Sequence, residues 1–172
     1  MILFLERSGL SRFRAARRAV AALEFALVAP TLLLLMLVVM ESGILLFGQA
    51  ALDAATANAA RLIRTGQVQQ SSNGQSLFTT AVCDDLSALV SCGAVQMNVQ
   101  SAGSFGAMST TVSTTSSGAM QTTGFSPGGP GADVVVQVGY QPDLSIPLVG
   151  SVLRAAFGPL LVSTIAFQNE VY

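Results

Sequence analysis

Hydrophobic and polar positions follow three different rhythms along this chain. From residue 25 to residue 47 it is apolar except at Pro30, Thr31, Glu41, Ser42 and Gly43. At helical rise that run covers about 35 Å, enough to cross a hydrocarbon core. Over residues 44–64 apolar or small residues recur every three or four, at Leu45, Gly48, Leu52, Ala55, Ala59 and Leu62. Gln49, Asp53, Thr56 and Arg64 fall mostly elsewhere. The spacing predicts an amphipathic helix continuous with the first run, and Thr65-Gly66 supplies its stop. Pro30 removes one backbone hydrogen bond and predicts a kink or loosening near Ala26.

Shorter signals follow. Residues 67–75 read as a polar connector and residues 76–90 as a short helix. Residues 95–100 alternate as a strand with Val95, Met97 and Val99 inward. Residues 133–140 form the clearest strand, with Val134, Val136, Val138 and Tyr140 on one face. Residues 160–168 make a last strand with Leu161, Ile165 and Phe167 inward, after a short amphipathic helix around residues 152–156. Between the first two strands, residues 101–132 are Ser, Thr, Gly and Met with almost no charge. They read as a variable solvent loop, with Val112 in a short edge strand.

Three strands lined by Val, Ile and Phe can bury the stripe of the long helix. The expected fold class is therefore α+β: a long N-terminal membrane-spanning helix continuing into a small exported domain with an antiparallel sheet of about three to four strands. The expected segments are a basic leader (1–19), a transmembrane helix (20–47), its extramembrane continuation (48–66) and an α+β domain (67–172) with a flexible loop at 101–132.

Charge orients this arrangement. The chain has 172 residues, 51% apolar and only 10% charged, so it holds one modest domain plus a membrane segment. Its net charge of −1 hides an asymmetry, because Arg7, Arg12, Arg14, Arg17 and Arg18 are most of the eight basic residues. The positive-inside rule then places the leader in the cytoplasm and the domain outside. A removed secretory signal peptide fits less well, since its apolar region is usually about 7 to 15 residues long. The body beyond residue 40 is mildly acidic, which argues against nucleic-acid binding.

Few residues carry distinctive chemistry. Glu24 stands in the first turns of the membrane helix, where its helical neighbours Val20, Ala21, Leu27 and Val28 cannot neutralise it. A carboxylate at bilayer mid-depth costs about 2.5–3.5 kcal/mol, so a partner from elsewhere is expected unless the side chain snorkels to the headgroups. Glu41 poses the same question near the outer interface. Cys83 and Cys92 in an exported domain suggest a disulfide, and two thiols without histidine do not make a metal site. The glycines of residues 126–131 lack the lysine of a phosphate-binding loop. No catalytic constellation is present, so neither an enzyme, a cofactor nor a small-molecule substrate is expected.

A basic leader, a small residue, four more residues, then Glu24-Phe25 and an apolar helix resemble the type IV prepilin processing motif. More narrowly, residues 21–30, Glu41-Ser42-Gly43, Ala59-Ala60-Arg61-Leu62-Ile63-Arg64-Thr65-Gly66 and Phe167-Gln168-Asn169-Glu170 resemble the TadE-like family, pilin-like proteins of the tight-adherence (Flp, type IVb) pilus machinery. The resemblance implies cleavage by a prepilin peptidase between Ala19 and Val20, with Ala19 where the family usually has glycine. It implies that Glu24 neutralises the new amino terminus of an adjacent subunit. It also implies pilin-like subunits and the pilus inner-membrane platform as partners. The function expected is a membrane-anchored minor pseudopilin-like protein supporting pilus assembly. The alternatives are a permanently anchored envelope binding module and a type II secretion pseudopilin.

Overall fold

The computed structural model describes residues 6–87, 90–144 and 146–172, and for residues 6–18 and 148 the backbone alone. The leader arginines' side chains, the last part of the helix expected over 76–90 and Ser145 thus lie outside the described residues. The chain divides into two compact units, Met1–Glu41 and Ser42–Tyr172.

Helix α1 runs Glu6–Arg64 and continues through Pro30. In the first unit, every side chain from residue 19 to residue 40 is exposed or half-exposed, and Glu41 is buried. Water would oppose this exposure of leucine, valine and phenylalanine. Among the described residues one helix is long and apolar enough to cross a membrane, and its most apolar window buries nothing against protein.

The second unit is α+β. After α1 come α2 (Gln67–Gln70), α3 (Gly74–Leu86), β1 (Val95–Ala102), β2 (Gly124–Phe125), β3 (Asp133–Tyr140), α4 (Pro147–Phe157) and β4 (Leu161–Gln168). The sheet order is β2-β1-β3-β4. The three long strands are antiparallel as expected, with Val99 opposite Val136 and Val136 opposite Ile165. The two-residue β2 pairs parallel to β1, so the sheet is mixed.

One core joins these elements. Leu52, Ala55, Ala59, Ala60 and Ile63 of α1 pack with Phe78, Val82 and Leu86 of α3 and with Val99, Val134, Val136 and Val138 of the sheet. The alanines let the α1 backbone approach its own fold closely. Some positions differ from the spacing read in the sequence. Ile63 is fully buried and Leu62 only half-buried, one step around the helix. Thr56 is buried too, because its hydroxyl donates to the Leu52 carbonyl at 2.7 Å and so enters the core satisfied.

The tract read as a solvent loop lies partly across the outer face of the sheet. Asn98 and Gln137, paired in register, are both buried and hydrogen-bonded at 3.0 Å. Gln137 also donates to the Thr110 carbonyl, and Gln96 accepts from the Met120 amide. The amides that alternate with the apolar positions of β1 and β3 thus hold a polar covering layer, since a buried polar group is costly unless bonded. The short edge strand forms at Gly124–Phe125, and Val112 lies outside it.

Candidate functional site

The residues that resemble a processing motif sit on exposed helix. Ala19, Val20, Glu24 and Phe25 are exposed, Phe25 by 73%. Among the described side chains no cation pairs with Glu24, the ion pair there being Arg64–Glu170. Glu41 lies about 25 Å further along the helix, so the two carboxylates are not brought together. Glu41 is 7% exposed, unlike Glu24. The arrangement offers a carboxylate on an apolar surface, available to a group from another molecule.

At the other end of α1 the structure brings together two segments that are far apart in sequence. Gly66 takes the left-handed conformation at φ 79°, and its N–H bonds the Ile63 carbonyl, closing the helix. The Glu170 amide donates to the Arg64 carbonyl at 3.0 Å, and the Glu170 carboxylate reaches the Arg64 Nε at 3.2 Å. Both side chains are about half exposed, so the ion pair adds little and the backbone bond matters more. Asn169 is buried and donates to the carbonyls of Pro127 and Gly129. The residues 61–66 and 167–170 singled out in the sequence therefore meet, tying β4 and the 127–132 loop to the helix end.

Cys83 at the end of α3 and Cys92 before β1 form a disulfide, with Cα atoms 5.4 Å apart. Closing so short a loop contributes about 2–3 kcal/mol in the chain-entropy picture, useful in a domain of this size.

Where α1 passes the sheet, Gly48 brings its backbone against Tyr140, whose hydroxyl would lie 3.1 Å from an added Cβ. Burial first, then the nearby Asp143 carboxylate, raises the Tyr140 pKa above its ordinary 10.0. The folded state thus favours the neutral phenol. Its contribution to stability is complete below about pH 10 and is lost as pH rises through the raised folded value. A urea midpoint that drops between about pH 9 and about pH 11, and drops less in Tyr140→Phe, is the expected result. Equal drops in the two proteins would contradict it.

The sequence did not expose one surface. Helix α4 starts at Pro147 and is closed by Gly158, whose N–H bonds the Arg154 carbonyl. Val149 and Leu153 are buried, yet Val152 and Phe157 are about 60% exposed. Phe157 lines a cleft of about 320 Å³ with Ser42, Leu45, Leu46, Gln49 and Leu160. The only sequence signal was the near absence of charge, which an amphipathic pattern does not register.

Comparison with curated proteins and with solved structures gave no match. A family model does match, from the small residue before the processing motif to the helix stretch packed in the core. It ends before Arg64 and does not reach the 167–170 segment. Residues 19–61 match the model described as TadE-like protein, and over that stretch the chain is similar to that family.

Proposed function

We propose that this protein is a membrane-anchored, non-catalytic minor pseudopilin-like subunit that supports assembly of a tight-adherence (Flp, type IVb) pilus. The observation that carries the reading is the TadE-like match, which includes Glu24 and its apolar helix. Three features support it further. The helix is of membrane length, its surface between residues 19 and 40 is unburied, and Glu24 has no cationic partner among the described side chains. In this reading the leader stays cytoplasmic and a prepilin peptidase cuts between Ala19 and Val20. The domain stands in the periplasm, and Glu24 pairs with the Val20 ammonium of a neighbouring pilin-like subunit at the assembly platform.

The test is the amino terminus of the protein isolated from membranes. A chain beginning at Val20, and an uncut chain when the peptidase is deleted, is expected. A chain that keeps Met1 and the leader arginines would instead support a permanently anchored envelope binding module, a reading to which Ala19 in place of glycine lends weight.

A further inference from the structure

Helix α4 is apolar nearly all round, with Arg154 its sole charged residue. Such a helix is ordinarily enclosed. Here, among the described residues of α4, Val149, Gly150 and Leu153 are buried, while Val152, Ala155, Ala156 and Phe157 are exposed. The place of this surface along α1 is informative. Phe157, Leu160 and Leu161 share the cleft with Ser42, Leu45 and Leu46, and beside these Ile44, Leu46 and Phe47 are each more than 60% exposed. Those α1 residues are the outer end of the apolar run, so the α4 surface continues the apolar surface of the helix sideways onto the domain. Gln49, which donates to the Val162 carbonyl at 3.1 Å and to Asp53, begins the polar part of α1 at the same level.

Charge agrees with this placement. Residues 144–169 contain no Asp or Glu, whereas α3 carries Asp84 and Asp85. Arg154 is the one basic residue beyond Arg64, and it is exposed on α4.

We propose that α4 and the cleft it forms with α1 are a lipid-facing foot of the domain. In this arrangement Val152 and Phe157 lie in the acyl–headgroup boundary of the outer leaflet, and Arg154 reaches the lipid phosphates. So placed, the exposed apolar side of α4 enters about 5–10 Å into that boundary, and the Arg154 stem snorkels toward the headgroups. The foot fixes the domain against the bilayer surface, which a single helix alone would leave free to tilt. The proposal rests on α1 spanning the membrane as read above, and the experiment separates the two.

Full-length protein is reconstituted in vesicles of phosphatidylcholine and phosphatidylglycerol, with an environment-sensitive nitrobenzoxadiazole probe on one introduced cysteine and the native disulfide kept oxidised. The variants are V152C, F157C, L35C in the apolar run, and S76C, an exposed position on α3, whose core side chains cluster with those of Leu52–Ile63 of α1 beyond the apolar run. Spin-labelled lipid with its label near the acyl carbonyl is expected to quench V152C and F157C at least about half as strongly as label placed deep in the chain quenches L35C. S76C should be unquenched. Quenching at V152C and F157C no greater than at S76C, beside a quenched L35C, overturns the lipid-facing foot and leaves the spanning reading standing. An unquenched L35C overturns the spanning reading and the foot with it. Blue-shifted emission at F157C that no lipid label quenches, and that grows with protein density, also overturns the proposal, in favour of a second copy covering the surface.

Discussion

Replacing Glu24 by glutamine is expected to leave the protein in the membrane at normal abundance while pilus formation falls by about two orders of magnitude. Glutamine keeps the shape and the hydrogen-bonding capacity of the side chain and removes only its charge. Insertion should therefore be no harder, since a neutral amide is cheaper in lipid than a carboxylate. Assembly suffers because an incoming ammonium at the same depth would no longer be neutralised. Leaving a charge unpaired there costs about 3 kcal/mol on insertion scales, and each 1.4 kcal/mol is tenfold in an association constant. Glu24 is exposed on an apolar helix, and among the described side chains no cation would mask the loss. Counting pili by electron microscopy, alongside immunoblots of the membrane fraction, decides the matter. Normal piliation in the glutamine variant would remove the charge-pairing role.

Phe78→Ala should be the most damaging change in the second unit. Phe78 is fully buried, belongs to the core shared by α1, α3 and the sheet, and its ring lies 5.7 Å from that of Phe125 on β2. Truncating such a residue typically costs about 3–5 kcal/mol, a large share of the roughly 5–15 kcal/mol available to an ordinary domain. Thermal unfolding of the full chain in detergent, followed by circular dichroism, should show a midpoint lowered by roughly 10–20 °C. A fall of only a degree or two would mean that α3 is not integral to the core.

Much of this arrangement was legible because it rests on local periodicity. The stripe of α1, the alternation in β1, β3 and β4, and the stop at Gly66 each depend on residues close in sequence. What escaped depends on distant partners. Thr56 reads as polar until its hydroxyl finds the Leu52 carbonyl, and Asn98 and Gln137 read as solvent-facing until the 105–123 tract covers them. Helix α2 has a single turn and no periodicity to detect. For the candidate site the division is similar. Glu24 was conspicuous as a charge in an apolar run, whereas the surface of α4 is apolar without alternation and gains meaning only from its position beside Leu46.

The strand order has a consequence for how the molecule is made. Strand β3 needs β1 on one side and β4 on the other, and the Glu170 amide reaches back to Arg64. During synthesis the end of α1 emerges roughly a hundred residues before β4, on the order of ten seconds at ordinary elongation rates. Throughout that interval Leu52, Ala55 and Ile63 have no completed sheet to cover them, and contacts so distant in sequence form slowly. The nascent chain is thus most vulnerable to aggregation and proteolysis until β4 arrives, and a chain interrupted before that strand would be a substrate for quality control.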